Sequence, residues 1–177
     1  MSRVTENRPY MHTRWFAAAL AALVVIVAPG SARAQELGLK VGSAAPTSAP
    51  LETLDGKVAD LGTYVGKGPV IFEFWAAWCE NCKALEAQMI AAAKKYAGKV
   101  KFVSVAVSIN QSLELAKRYA EKHNLPGDIL YDRKGIASDE FGAPATSYIV
   151  ILDARWTVVY TGLGADQKID DAIRKAL

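Results

Sequence analysis

The sequence is poor in cysteine and histidine, and each shortage excludes a class of site. It has two cysteines, Cys79 and Cys82, so a framework of several disulfides is excluded. A structural zinc site needs about four nitrogen or sulfur ligands, and after the N-terminal segment the chain has one histidine, His123, which we interpret as a surface residue. The two cysteines close too short a loop to restrain the unfolded chain, so redox chemistry is the favoured role.

The chain after position 34 also lacks an excess of charge of either sign. The net charge of +3 comes entirely from residues 1–34, which hold four arginines and one glutamate, and 17 basic and 17 acidic residues remain from position 35 onward. No cluster of lysine and arginine with interleaved aromatic residues is present in that part, so we expect no nucleic-acid partner. The 143 residues after position 34 are enough for one domain with a substantial core.

The N-terminal apolar run is too short to span a membrane. It covers residues 15–28, about 14 residues where a bilayer crossing needs roughly 20. Arginines precede it, Pro29 and Gly30 follow it, and residues 32–34 have the small-x-small pattern of a cleavage site. This order predicts a signal peptide over 1–34 and export to the periplasm or another extracytoplasmic compartment. An uncleaved membrane anchor is the alternative.

The rest of the chain alternates strand and helix patterns, which predicts an α/β sandwich. Residues 35–50, rich in Gly, Ala, Ser and Pro, are expected to form an exposed lead-in to a domain over 51–177. The nearly continuous apolar run at 70–75 indicates a central strand covered on both faces. A hairpin is predicted over 51–61, further strands at 100–107, 129–131, 148–152 and 157–161, and helices at 83–96, 111–123, 136–141 and 166–177.

The cysteine pair lies where the central strand passes into the next helix. A cysteine at a helix start is close to unpaired backbone N–H groups and to the positive end of the helix dipole, which favour the thiolate. The two-residue spacing brings the second sulfur back one helical turn. We therefore interpret Cys79 as the attacking, more exposed thiol and Cys82 as the resolving, buried thiol, with their disulfide as the redox group and no other cofactor or metal.

The residues beside the cysteines tune this chemistry. Glu80 and Asn81 lie between them, and the carboxylate of Glu80 opposes a thiolate on Cys79, which favours a reductant over a strong oxidant. The alternative is that Glu80 faces solvent and complements the helix dipole. Trp75 and Trp78 flank the approach to Cys79. Aromatic packing accounts for the presence of both tryptophans. A further candidate role for Trp78 is to cover the sulfur of Cys79.

Glu73 interrupts the most apolar strand of the chain, between Phe72 and Phe74. A buried carboxylate is costly, and loss of water raises the pKa of Glu73 toward neutrality. We interpret Glu73 as the group that takes or delivers the proton of Cys82 through water. The alternative is that Glu73 lies at the end of the sheet and reaches solvent.

These motifs resemble a known family. Residues 74–83, Phe-Trp-Ala-Ala-Trp-Cys-Glu-Asn-Cys-Lys, are very similar to the active-site segment of thioredoxins. The lead-in of the TlpA/ResA-like thiol-disulfide oxidoreductases of the bacterial cell envelope is similar to this chain at residues 54–57, Leu61 and 66–67. The likeness covers nearly all of 41–177 and continues at 129–132, Gly135, 141–142 and 158–162.

The resemblance implies a thioredoxin fold, in which helices flank a central mixed sheet, here with an N-terminal hairpin extension. It also implies dithiol–disulfide exchange with protein thiols and disulfides. Apocytochrome c is one such partner in the family, and a membrane thiol carrier is the electron donor. Matching the motif places Glu73 at the family's buried acidic position.

One departure from the family lies opposite the cysteines. The family has a cis-proline there, usually after Thr or Val, and the gap-free register places Thr146 and Ser147 at these two positions. Pro144 fills the role only if the loop is remodelled by about three residues. A cis peptide before serine costs roughly 3 kcal/mol or more, so we expect a trans bond and an altered backbone beside Cys79. Ala87 stands where many thioredoxins have a helix-kinking proline.

A binding module is the alternative to an enzyme. In this interpretation Cys79 and Cys82 hold copper(I), a soft metal, and deliver it to a partner. Copper-delivering relatives of the fold space their cysteines more widely and add a histidine ligand, whereas here the spacing is that of redox proteins.

Overall fold

The structure, a computed structural model, describes residues 38–177. The expected signal peptide over 1–34 and its cleavage site therefore lie outside the described residues. None of the helices within 38–177 combines the length and the apolar character that a membrane crossing requires.

A seven-stranded mixed sheet forms the centre of the domain. The strands lie in the order β2-β1-β5-β4-β3-β6-β7. β3, β4 and β5 are parallel to one another, and the other neighbours are antiparallel, with β1 and β2 forming the expected hairpin. The strands are β1 (Pro50–Thr53), β2 (Val58–Asp60), β3 (Val70–Trp75), β4 (Lys101–Val107), β5 (Asp128–Asp132), β6 (Tyr148–Leu152) and β7 (Val158–Gly162). The predicted α/β class and mixed sheet are confirmed.

Helices cover both faces of this sheet. They are α1 (Glu80–Lys95), α2 (Leu113–His123), α3 (Ile136–Glu140) and α4 (Ile169–Ile173), with short 3-10 helices at Leu61–Tyr64 and Arg174–Ala176. Parallel crossovers are right-handed, so α1 and α2, which join β3 to β4 and β4 to β5, lie on the same face. The last helix begins later than the predicted residue 166, because Gln167 is bound to a neighbouring loop.

All six residues of β3 are buried, and its alternate side chains enter two different layers. On one face the ring of Phe72 packs against Tyr64, Phe141 and Trp156, with ring centroids 5.2–6.1 Å apart. On the other face lie Ile71, Glu73 and Trp75. Ile71 shares a core cluster with residues of α1 and α4, namely Leu85, Met89, Ile169 and Ile173. The carboxylate of Glu73 therefore enters the helix-covered layer beneath α1.

The described part of the lead-in, residues 38–50, is mostly exposed, but it also pairs with the sheet. The backbone N–H of Gly42 donates to the carbonyl of Val158 at 2.8 Å, and the N–H of Val158 donates to Ser43 at 2.9 Å. Ala45 and Ala49 are buried. The unpaired edge of β7 offers backbone partners to this segment, which explains why a stretch rich in Gly, Ala, Ser and Pro packs on the sheet.

Replacing Phe72 by alanine tests the aromatic layer. Phe72→Ala removes the ring that Tyr64, Phe141 and Trp156 contact and leaves a cavity, so we expect a loss of about 3–5 kcal/mol in the free energy of unfolding. Urea denaturation of the oxidised protein measures it. Val58→Ala, at a position that is 92% exposed, is the matched control and changes the value by about 0.5 kcal/mol or less. Equal effects of the two substitutions would contradict this description of the core.

Candidate active site

Cys79 and Cys82 form a disulfide at the N-terminus of α1, with their Cα atoms 5.3 Å apart. Cys79 is the residue that caps the helix, and its sulfur accepts a hydrogen bond from the backbone N–H of Cys82 at 3.1 Å. This N–H has no partner within the helix, so it is available to stabilise negative charge on the sulfur of Cys79 after reduction.

Exposure does not distinguish the two cysteines. Cys79 is 5% exposed and Cys82 is 4% exposed, so the expectation of a clearly more exposed Cys79 is wrong for the disulfide form. The two cysteines differ in their position on the helix. Cys79 is at the cap, where its Sγ accepts a hydrogen bond from the backbone N–H of Cys82.

The loop before Cys79 is held by the turn that precedes α2. Gln111, a buried residue, accepts a hydrogen bond from the N–H of Ala77 at 2.7 Å and donates from its amide to the carbonyl of Val107. Trp78 donates from Nε1 to the carbonyl of Ile109 at 2.9 Å and is 45% exposed. Gln111 was not predicted as a site residue, because it lies 34 positions from Ala77 and no local pattern marks it.

Glu80 and Asn81 both face solvent. The side chain of Glu80 is 82% exposed and forms an ion pair with Lys83 at 2.6 Å. This geometry fits the alternative in which Glu80 is a solvent-facing acid in the first helical turn, and Lys83 offsets part of its charge.

Glu73 is buried at 5% exposure in the middle of β3 and does not reach solvent at the sheet end. Burial, and secondarily the negative charge of Glu86, raise the pKa of Glu73 from about 4.5 to about 8. A carboxylate with this pKa is a much stronger base than an exposed glutamate, and its proton affinity approaches that of a free thiol, whose pKa is about 8.5. The site thus places a strong, desolvated base on the strand that leads to the cysteines.

His123 is not the free surface residue that its position near the end of a polar helix suggested. Its Nδ1 lies 2.9 Å from Oε2 of Glu86, and its ring stacks on Tyr119 with centroids 3.9 Å apart. The side chain is 29% exposed. The tertiary contact with α1 overrides the local polar pattern of α2.

Ser147 occupies the position next to the end of β3. Its N–H donates to the carbonyl of Phe74 at 2.8 Å, its hydroxyl accepts from the N–H of Gly164 at 3.0 Å, and its carbonyl accepts from the amide of Gln167 at 2.9 Å. Ser147 is fully buried, with φ at +68°. Pro144 lies three residues earlier on an exposed part of the loop, and Thr146 is half-buried.

The trans peptide bond expected before Ser147 is confirmed. No peptide bond in the described residues is cis. The left-handed conformation is rarely adopted by residues other than glycine, and three hydrogen bonds hold it in place.

Within residues 38–177, no group of three or more His, Cys, Asp and Glu side chains is arranged to hold a metal ion.

Comparison with known proteins agrees with this geometry. The profile of the Redoxin family matches residues 40–177. The thioredoxin-like protein YneN of Bacillus subtilis is 31% identical over 143 residues, which cover 77% of this chain and 82% of YneN. The thiol-disulfide oxidoreductase ResA of Oceanobacillus iheyensis is 29% identical over 63% of this chain and 59% of ResA.

Solved structures show the same fold. The thioredoxin domain of a thiol-disulfide oxidoreductase from Bacteroides vulgatus superposes with a TM-score of 0.67 at 17% identity, covering 78% of this chain and 99% of that one. A secreted disulfide oxidoreductase of Mycobacterium tuberculosis, homologous to Escherichia coli DsbE, gives a TM-score of 0.63 at 22% identity, covering 73% and 95%.

The fold and the cysteine pair at the start of α1 define a thiol-disulfide oxidoreductase of the thioredoxin type. Within that class, the chain belongs to the Redoxin family and is TlpA/ResA-like.

Replacing Glu73 by glutamine tests its raised pKa. Because the folded-state pKa lies above the unfolded value, the folded protein binds the proton more tightly, and stability is lost as pH rises from about 4.5 to about 8. Glu73→Gln has no such loss, so its stability relative to the native protein increases by on the order of 5 kcal/mol between pH 4 and pH 9. Denaturation of both oxidised proteins measures the difference. A difference that stays constant over this range would exclude a raised pKa.

Replacing Ser147 by proline tests the backbone of this loop. Proline fixes φ near −65° and has no N–H, so Ser147→Pro loses the bond to Phe74 and cannot keep the left-handed conformation. We expect a loss of about 3 kcal/mol or more in the free energy of unfolding. Ser147→Ala keeps the N–H and is the control with the smaller loss. A proline variant as stable as the alanine variant would mean that the loop adopts the family's usual backbone.

Proposed function

We propose that this protein is an extracytoplasmic reductant of protein disulfides, with Cys79 as the attacking thiol, Cys82 as the resolving thiol and Glu73 as the proton acceptor. The observation that carries the proposal is the position of Cys79 at the cap of α1, where its sulfur accepts an N–H hydrogen bond. This placement favours a thiolate on Cys79 over one on Cys82.

The reduced protein acts in two steps. The thiolate of Cys79 attacks one sulfur of the substrate disulfide, and the other substrate sulfur leaves as a thiolate that takes a proton from water. Cys82 then gives its proton, through water, to the carboxylate of Glu73 and attacks Sγ of Cys79. The second substrate sulfur leaves, the Cys79–Cys82 disulfide forms, and two electrons have passed to the substrate.

The charges around the cysteines support the direction of electron flow. Glu80 adjoins Cys79, Glu86 follows Cys82 by one helical turn, and Glu73 lies beneath the helix. Lys83 offsets part of the charge of Glu80. The charges of Glu80 and Glu86 destabilise a thiolate on Cys79, as Glu73 does when it is ionised, and a less stabilised thiolate gives a more reducing pair.

The proposed location and partners follow from the N-terminal sequence and from the relatives. Residues 1–34 have the pattern of a signal peptide, and a structural neighbour is a secreted disulfide oxidoreductase. We infer protein thiols and disulfides as substrates, with apocytochrome c as one candidate and a membrane thiol carrier as the electron donor.

The test is the reduction potential of the Cys79–Cys82 pair, measured by equilibration with glutathione buffers. A reductant gives a value near or below about −200 mV, whereas a value near about −120 mV would reverse the proposed direction to disulfide formation. Cys82→Ser, in the same assay, is expected to stop at a mixed disulfide on Cys79, which mass spectrometry detects.

A pair that does not cycle in glutathione buffers would contradict the enzyme proposal. One-to-one binding of copper(I) to the reduced protein, with loss of thiol reactivity, would then support the metal-delivery alternative.

A further inference from the structure

Three polar side chains form a hydrogen-bonded cluster between α1 and α2. The hydroxyl of Tyr119 donates to one carboxylate oxygen of Glu86, and Nδ1 of His123 lies 2.9 Å from the other. The rings of Tyr119 and His123 are stacked. Both oxygens of Glu86 are thus fixed by α2, although Glu86 belongs to α1.

This cluster lies between the buried part of the active site and solvent. Glu86 follows Cys82 by four residues on α1, so the two side chains lie on the same side of the helix one turn apart. The ring of Tyr119 packs on Trp75, 5.5 Å between centroids, and Trp75 shares a face of β3 with Glu73. The side chains of Glu86 and His123 are 19% and 29% exposed, compared with 5% for the residue Glu73.

Two buried donors lie on the same face as Glu73. Ser104 is its register partner on β4, and Trp75 is two residues further along β3. Ser104 Oγ and Trp75 Nε1 are buried and have no hydrogen-bond partner within residues 38–177. A buried donor without a partner costs about 1–3 kcal/mol, so this layer suits a solvent molecule that bridges these donors and the carboxylate of Glu73.

We propose that Glu86, held by Tyr119 and His123, is the relay that carries the proton of Glu73 to solvent between α1 and α2. The inference rests on the proposed function, because it adds the outlet to the proton acceptor named there. Tyr119 and His123 are positioning residues that fix the carboxylate of Glu86.

The proton balance requires such an outlet. At neutral pH Glu73 is largely protonated, because of its raised pKa, and must lose that proton before it accepts one from Cys82. In the proposed step the O–H bond of Glu73 breaks, its proton passes through one solvent molecule, and a new O–H bond forms on Glu86. Glu86 then releases the proton to bulk water, and no electrons move in this step.

The groups that face Glu86 come from three elements. Glu73 lies on β3, Tyr119 and His123 lie on α2, and Cys82 and Lys83 lie one turn earlier on the same helix as Glu86. Burial and the hydrogen bond to Glu86 raise the pKa of Tyr119, so its hydroxyl stays a donor throughout the working pH range. The position of the Glu86 carboxylate therefore does not depend on the ionisation of Tyr119.

The test follows a single oxidation of the reduced protein by glutathione disulfide. Samples are quenched with acid at successive times, and mass spectrometry measures the rates of two steps. The first is formation of the mixed disulfide on Cys79, and the second is its decay when Cys82 attacks. At pH 7, Glu86→Gln is expected to slow the decay by about tenfold, with formation changed by less than about twofold. At pH 9, where Glu73 is already ionised, the effect on decay disappears.

A small imidazole buffer separates a relay from a structural or purely electrostatic role. Added imidazole is expected to restore the decay rate of Glu86→Gln at pH 7 and to leave the native rate unchanged. Tyr119→Phe keeps the ring stack but releases one of the two carboxylate oxygens of Glu86, and we expect it to slow decay by about threefold. Tyr96→Phe is the matched control and leaves both rates unchanged, since Tyr96 bonds to Asp170 of α4 at 2.9 Å instead.

The outcomes distinguish this inference from the function on which it rests. If the native protein forms no mixed disulfide, the proposed function fails. If the native protein cycles and Glu73→Gln is slow, but Glu86→Gln and Tyr119→Phe decay at the native rate, the relay alone is overturned. The relay would also be overturned if Glu86→Gln decays slowly at pH 7 and added imidazole does not raise its decay rate.

Discussion

The arrangement depends on one hydrogen bond, from the N–H of Cys82 to the sulfur of Cys79 at the start of α1. This bond requires the chain to leave β3, turn within three residues and enter a helix with a sulfur at its cap. Gln111 and Ile109 hold that turn by accepting from Ala77 and Trp78. The sheet then places Ser147 on the far side of β3, where the N–H of Ser147 bonds to Phe74. The segments on either side of the disulfide are thus fixed by hydrogen bonds to Gln111, Ile109 and Phe74.

The carboxylates around the cysteines oppose the charge that this hydrogen bond stabilises. The helix terminus favours a thiolate on Cys79, whereas Glu73, Glu80 and Glu86 disfavour it. Because Glu73 is buried, its charge is the least screened of the three, and the protein lowers that cost by keeping the group protonated at neutral pH. The pair and the buried acid are therefore coupled, and the protonation state of one affects the other.

The features of the fold and site that could be predicted from the sequence are those set by neighbouring residues. The bounds of β3 and β6 were predicted to the residue, since continuous apolar runs lie between turn residues, and Glu73 was recognised because it breaks such a run. The contacts of Glu86 with Tyr119 and His123 span 33 and 37 positions and leave no periodic signal. The late start of α4 depends on Gln167, which bonds to Ser147 twenty positions away. An altered backbone at Ser147 could be expected, but the left-handed value of φ could not, because it is set by these distant partners.

The segment that covers β7 has a consequence for the solubility of the domain. An open strand edge is a template on which another copy can add a strand, and natural sheets shield such edges. Here the backbone of Gly42 and Ser43 occupies the edge of β7, and the opposite edge is β2, a strand of three residues. A fragment that began at position 50 would keep every named strand and the cysteine pair. It would nevertheless expose a five-residue edge of β7 to aggregation.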